Sequence, residues 1–186
     1  GPYAIVRKIG QGGMGSVFLA KREDADFEQL VAIKVLHQRV LDQAHAERFT
    51  LERQIIATLN HPNIASFVGG GQTEDGFPYI IMEYVEGLDI AEYCEKHQLG
   101  VSHILDLYEK VLSAVTYSHQ HLVVHRDIKP SNMLVTENGD VKLLDFGIAK
   151  LIQGERTHDF NPQHTHTTSR VLTHSSAAPE QVLGEK

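Results

Sequence analysis

The chain has a single cysteine, Cys94, in 186 residues. One thiol cannot close an intramolecular disulfide, so no covalent staple supports the fold, and a reducing, cytoplasmic setting is expected. Long apolar runs are also lacking. None approaches the ~18 residues of a membrane-spanning helix, so any anchor of a longer protein is expected outside this segment. Positive charge is the minority: 17 Lys and Arg stand against 24 Asp and Glu, for a net charge of −7. A broad basic face for nucleic acid is therefore not expected. No leader pattern is visible at the N-terminus. The chain opens Gly1-Pro2 without a methionine and reads as an excerpt from a longer protein. What is present is ordinary for a globular chain, with 41% hydrophobic and 22% charged residues. The length suits one domain, with room for two lobes and a sizeable core.

The N-terminal third reads as strands. Residues 3–9 alternate loosely between apolar and polar, as a strand does. Gly10-Gln11-Gly12-Gly13-Met14-Gly15 follows, and then a second strand at 16–20. This is a hairpin with a glycine-rich tip. Glycines let the backbone approach a ligand closely and aim N–H groups at phosphate oxygens. A plain flexible turn uses the same residues, so the motif alone does not choose. Its place between two strands argues against a dinucleotide fold, where such glycines join a strand to a helix.

Leu30-Val31-Ala32-Ile33-Lys34-Val35-Leu36 is a strong strand with one lysine inside it. That lysine either faces solvent from an edge strand or has a partner. Residues 45–59 read as a helix whose stripe carries Phe49, Ile56 and Leu59. Glu52 falls on the same stripe, either at its wet margin or paired with a cation, for which Lys34 is the candidate. His61-Pro62-Asn63 ends the helix. Ile64 to Val68 and Pro78 to Val85 read as a further strand pair around a polar turn at 72–76, which makes five strands. At Glu83 to Gly87 the pattern changes from strand to helix, as in a connection between lobes.

Asp89 to His97 reads as a short helix, and Ser102 as the N-cap of a longer one. Ile104, Leu107, Tyr108, Val111, Leu112 and Val115 mark the expected buried face of that longer helix. Next comes His125-Arg126-Asp127-Ile128-Lys129-Pro130-Ser131-Asn132, a dense group of polar side chains. Two short strands follow, at 132–135 and 141–144, joined by a turn containing Asn138-Gly139. The hairpin sets Asn132 at one end and Asp145 of Asp145-Phe146-Gly147 at the other, so the two side chains are brought together. Residues 151–175 lack periodicity and read as a mobile loop. Its histidines, His158, His164, His166 and His174, fit no common zinc spacing and have no cysteine beside them. Its hydroxyls are the more useful feature.

Taken in order, Gly10-x-Gly12-x-x-Gly15-x-Val17, Val31-Ala32-Ile33-Lys34, Glu52, His125-Arg126-Asp127 through Asn132, Asp145-Phe146-Gly147 and Ala178-Pro179-Glu180 resemble the signature set of eukaryotic-type protein kinases. The resemblance covers essentially the whole chain. Met82 to Gly87, Leu144 to Lys150 and Ala177 to Gln181 give it the texture of the bacterial serine/threonine kinases. The resemblance implies an α+β, bilobal fold: a five-stranded antiparallel N-lobe over about 1–84, a hinge over about 83–88, and an incomplete, mainly helical C-lobe over 89–186. The activation segment would be 145–180.

The resemblance also implies roles. Ile9, Gly10, Gln11, Gly12, Gly13, Met14, Gly15 and Ser16 would cover the phosphates of ATP. Val17, Ala32 and Leu134 would wall the adenine, with Met82 as gatekeeper and the backbone of Glu83 to Val85 bonding the base. Lys34, paired with Glu52, would hold the α- and β-phosphates. Asp127 would act as base, Lys129 would neutralise the transferring group, and Asn132 and Asp145 would hold Mg2+, with Mn2+ as an alternative. Lys129 resembles the serine/threonine class, as does Thr173. Arg126 resembles the arginine of kinases switched on by loop phosphorylation. Candidate phosphosites are Thr165, Thr167, Thr168, Ser169 and Thr173, with dimerisation a route to autophosphorylation. The implied partners are ATP and a protein substrate.

Two departures temper this. Ser176 stands where the family usually has an aromatic residue, which bears on peptide recognition. The chain also stops soon after Glu180, where the family continues through further helices. The long helix is thus expected to lack cover, and the 186-residue chain alone to be weakly active or inactive. A non-catalytic nucleotide-binding or scaffold module is the competing reading.

Overall fold

β3 is the centre of the N-terminal sheet, because its apolar run needs a neighbour on each side. Five strands, β1 (Tyr3–Gly12), β2 (Gly15–Arg22), β3 (Leu30–Leu36), β4 (Phe67–Gln72) and β5 (Pro78–Glu83), form one sheet in the order β1-β2-β3-β5-β4. Every neighbouring pair is antiparallel. The computed structural model describes residues 2–13, 15–23, 29–37, 50–51 and 53–146. Ala20, Val31, Ile33 and Ile81 bury one cluster in the sheet, while Leu36 and Ile80 bury another.

Residues 50–51 and 53–57 are helical and form α1. Residues 45–49 and Glu52 of the expected helix lie outside the described residues. The helix stops at 57, two residues short of the expected end. Thr58 N–H bonds to the Ile55 carbonyl and Leu59 N–H to the Ile56 carbonyl. Such three-residue closures tighten a final turn. Leu59 is then free to enter the core, and Ile56 packs against two apolar clusters at once.

The expected strand at 64–68 is displaced. Residues 63–65 leave the five-stranded sheet and pair elsewhere, and β4 begins only at Phe67. It then runs through Gly69, Gly70 and Gly71, residues of low strand propensity. The ladder to Ile81, Ile80 and Tyr79 of β5 overrides that preference.

A second sheet has the order β6-β7-β8, from β6 (Leu88–Asp89), β7 (Met133–Val135) and β8 (Val141–Leu143). β6 was not anticipated: the 83–87 connection enters a two-residue strand before the helix. β7 and β8 form the expected hairpin, and Gly139 adopts the positive φ, 79°, that its turn requires. α2 (Ile90–Lys96) is capped by Asp89, whose Oδ1 accepts from the N–H groups of Ala91 and Glu92. α3 (Val101–Gln120) starts one residue before Ser102, with Gly100 rather than Ser102 at the N-cap.

The buried face of α3 is Leu107, Val111, Ala114 and Ser118. Tyr108 and Leu112, expected on that face, are exposed. They belong with Val101 and Leu105 to a second apolar stripe, about 100° round the helix. Val101, Leu105 and Leu112 are each more than 60% exposed. Leu107 and Val111 join Ile64, Ile90, Met133, Val135, Val141, Leu143 and Phe146 in the largest apolar cluster. No helix among the described residues is long and apolar enough to cross a membrane.

His61 ties the turn after α1 to α3. Its Nδ1 accepts from Asn63 N–H, its Nε2 meets the Ser113 hydroxyl at 3.2 Å, and its ring lies 5.1 Å from that of Tyr117. Burial holds its imidazole below the ordinary histidine value. The unfolded chain therefore binds a proton first as pH falls below about 6.5, and stability declines through that window. Protonation at Nδ1 would also cost the Asn63 bond. His61→Asn is expected to flatten the loss of melting temperature between about pH 7.5 and pH 5.5 relative to wild type. An equal loss in both proteins would contradict this.

Candidate active site

Lys34 sits on β3, between β2 and β5. It is therefore on an interior strand, and the edge-strand reading is excluded. Its side chain is 14% exposed, and Nζ bonds to Asp145 Oδ2 at 2.7 Å. The contact spans 111 positions of sequence and joins the first sheet to the residues that follow β8. A cation in an apolar strand needs such a partner. The sequence pointed to Glu52 for it; Glu52 lies outside the described residues.

Asp127 and its neighbours form a second cluster. Lys129 Nζ lies 2.8 Å from Asp127 Oδ2. Asn132 Nδ2 donates both to the Asp127 carbonyl, at 2.8 Å, and to its Oδ2, at 3.1 Å. These two acceptors fix which end of the buried amide is nitrogen, so the Asn132 oxygen is turned away from Asp127.

The two clusters are joined through backbone. Leu144 N–H bonds to the Asn132 carbonyl at 2.8 Å, which sets the residue before Asp145 against the backbone of Asn132. His125 makes the other link. Its Nδ1 accepts from Asp127 N–H at 3.3 Å, and its Nε2 lies 2.6 Å from the Leu144 carbonyl. A ring whose Nδ1 accepts and whose Nε2 donates is the neutral Nε2–H tautomer. His125 is fully buried, and its ring lies 4.7 Å from that of Phe146. Arg126 and Asp145 have positive φ, 65° and 55°. Such backbone costs free energy unless its surroundings impose it. Here the buried His125 holds the position before Arg126, and the Lys34 bond holds Asp145 itself.

The glycine hairpin adjoins this network, since Val17 pairs with Lys34 across β2 and β3. Ile9, Gly10, Gln11 and Gly12 lie on β1, Gly13 in the turn, and Gly15 and Ser16 at the start of β2. Met14 lies outside the described residues. Two of these glycines differ. A Cβ on Gly15 would stand 2.4 Å from the Val35 carbonyl oxygen, whereas one on Gly12 would meet nothing within 4 Å. Gly15 is required by packing, and Gly12 faces open space. Ala32 and Met82 pair across β3 and β5, as do Val31 and Glu83. Leu134 lies on β7, and Val85 just beyond β5. Thr165, Thr167, Thr168, Ser169, Thr173, Ser176 and Ala178 to Glu180 lie outside the described residues.

Asn132 and Asp145 offer oxygen donors. Oxygen donors of this kind fit Mg2+ or Mn2+.

A family model described as a protein kinase domain matches residues 3–186. The chain belongs to the protein kinase domain family. It is 40% identical over 186 residues to the serine/threonine-protein kinase PrkC of Bacillus subtilis, covering 99% of this chain and 27% of PrkC. It is 39% identical over 185 residues to the probable serine/threonine-protein kinase PknB of Lactococcus lactis, covering 98% of this chain and 28% of that protein. Among solved structures, it resembles the PknI kinase domain of Mycobacterium tuberculosis at 32% identity and a TM-score of 0.66, over 79% of this chain and 60% of that one. The fold is accordingly kinase-like, with the five-stranded antiparallel sheet that the family implies.

Sequence reasoning passes over two polar residues near the site. His37 meets the Ser16 hydroxyl at 3.3 Å. Lys142 lies in the apolar run Val141-Lys142-Leu143-Leu144, which is the same signal that singles out Lys34.

Proposed function

We propose that this kinase domain transfers the γ-phosphoryl group of ATP to serine and threonine hydroxyls of proteins. The observation that carries the reading is the joined set Lys34–Asp145 and Asn132–Asp127–Lys129. It supplies a base, two cations and two oxygen donors in one connected region, as phosphoryl transfer requires. The serine/threonine class follows from Lys129, two residues after Asp127, and from the names of the relatives.

In this reading Asp127 orients the substrate hydroxyl and accepts its proton. The hydroxyl oxygen forms a bond to the γ-phosphorus as the bond to the bridging oxygen breaks, and ADP leaves. Lys129, already beside Asp127, neutralises charge on the transferring group. Lys34 holds the α- and β-phosphates. Mg2+ bound by Asn132 and Asp145 would neutralise further phosphate charge. Gly10 to Ser16 cover the phosphates. Val17, Ala32, Met82 and Leu134 enclose the adenine, and the backbone of Glu83 to Val85 bonds it. The nucleotide then lies between an N-lobe ending near residue 84 and a C-lobe beginning near 89.

The test is ADP release in the full-length protein with Mg-ATP and a serine- or threonine-containing peptide. Steady turnover is expected. Nucleotide binding without turnover would favour a scaffold role instead.

Loop regulation follows from Arg126. Phosphate adds about −1.5 to −2 charge and pairs with arginine, which orders a loop. Incubation with Mg-ATP is expected to place phosphate within residues 157–176, where Thr165, Thr167, Thr168, Ser169 and Thr173 lie. Peptide mapping that finds none there would contradict this. Transfer between two copies would make the labelling rate depend on protein concentration.

A further inference from the structure

We propose that Lys142 and Glu83 are a positioning pair that holds the adenine-reading segment in register with Asp145. This rests on the nucleotide reading above and extends it to two side chains without a chemical role of their own. Lys142 Nζ lies 2.9 Å from Glu83 Oε1 and 3.0 Å from Oε2, so the cation bridges both carboxylate oxygens. The side chains are 19% and 33% exposed, so water screens the pair only in part. Glu83 ends β5, in the five-stranded sheet, and Lys142 is the middle residue of β8, in the other sheet.

The pair closes a ring of contacts. Glu83 Oε2 accepts from Ser66 N–H at 3.0 Å, and Glu83 N–H donates to the Ser66 carbonyl at 2.8 Å. Ala65 N–H then bonds to the Leu143 carbonyl, and Leu143 N–H to the Asn63 carbonyl. Asn63 Nδ2 adds a bond to the Val141 carbonyl at 2.9 Å. The 63–66 segment thus ties β8 to the end of β5 by backbone, and the Lys142–Glu83 bridge ties them directly.

Both ends of the ring touch the site. The backbone from Glu83 onward is the proposed reader of adenine. β8 runs through Leu143 and Leu144 into Asp145, which holds Lys34. Lys142 also pairs with Leu134 across β7 and β8, and cross-strand partners share a face. The bridge therefore lies beside a proposed adenine wall. A ligand that engages only the base needs one end of this ring. Mg-ATP, which also engages Lys34 and Asp145, needs both ends in a fixed relation.

The test compares adenosine with Mg-ATP by titration calorimetry in the full-length protein. Lys142→Gln and Glu83→Gln are each expected to weaken Mg-ATP roughly fivefold to tenfold, with the double variant no weaker than either, as for a coupled pair. Adenosine affinity should change by less than about twofold in each variant, and its uptake reports an intact fold. Lys142→Arg, which keeps the cation, should retain Mg-ATP affinity within about twofold. Equal weakening of both ligands would overturn the proposal, because the pair would then merely brace the sheet. So would additive losses, or unchanged Mg-ATP binding in Lys142→Gln. A wild-type protein that binds neither ligand would overturn the nucleotide reading itself, and this proposal with it.

Discussion

Asp127→Asn is expected to lower the turnover of phosphoryl transfer by roughly 10²–10⁴-fold, while Mg-ATP affinity stays within a few fold. The asymmetry follows from where Asp127 sits. Its Oδ2 is shared by Lys129, at 2.8 Å, and by the Asn132 amide, at 3.1 Å. Neither contact involves Lys34 or the glycine-rich hairpin, which are proposed to hold the phosphates. Asparagine keeps the size and one oxygen but cannot accept the hydroxyl proton, and it removes the charge opposite Lys129. The Asn132 amide would then face a neutral group, so a modest rearrangement around residue 132 is expected as well. Steady-state kcat and KM for ATP, with nucleotide binding measured separately, check the split. Turnover that survives the substitution would remove Asp127 from the role of base. Affinity that collapses together with turnover would mean that the loop had lost its structure.

Asp145→Asn is the second large effect. Asparagine tolerates the left-handed backbone that Asp145 adopts, so strain at this position should not change. What changes is charge. Lys34, 14% exposed, loses the carboxylate 2.7 Å from its Nζ. A hydrogen bond to a charged group is worth about 1.5–3 kcal/mol, and partial exposure places this one toward the lower end. The variant should therefore melt earlier. Adding Lys34→Met should recover part of that loss, because no unpaired cation then remains. Transfer should fall by at least roughly 10²–10³-fold, the scale for losing one electrostatic contact to a developing charge. It should not recover in the double variant. Melting curves and turnover thus move apart: stability is partly rescued and activity is not. Joint rescue would mean that Lys34 and Asp145 serve only to hold the fold.

Part of the candidate site was legible where the sequence breaks its own local pattern. Lys34 interrupts an apolar strand, and the structure answers with an interior position and a half-buried anionic partner, Asp145. The hairpin between Asn132 and Asp145 could be read from Asn138-Gly139 and the two short, mostly apolar runs beside it, and the Leu144–Asn132 bond confirms its closure. The bond from Lys34 to Asp145 was not legible, and the expected pairing with Glu52 lies outside the described residues. Glu52 and Asp145 are both suitable anions, and sequence spacing does not rank contacts made across 111 positions.

The misplacements have one cause. Local patterns report burial well and partner identity poorly. Ile64 is apolar because it is buried, but its bridge is to Leu143 of β8 and not to the expected strand. The same limit explains α3, which carries two apolar stripes: sequence gives both the same weight, while the fold buries only one. Lys142 shows the converse failure. It carries the same signal as Lys34, yet no motif draws attention to it, and its partner Glu83 was considered only for its backbone.

The central claim is that the network around Asp127 moves phosphate to serine and threonine. The most direct measurement is phosphoamino-acid analysis after the full-length protein is incubated with γ-labelled Mg-ATP, with Asp127→Asn run in parallel. The account predicts label in phosphoserine and phosphothreonine with wild type and a loss of label in the variant. Label confined to tyrosine, or equal label in both proteins, would contradict it.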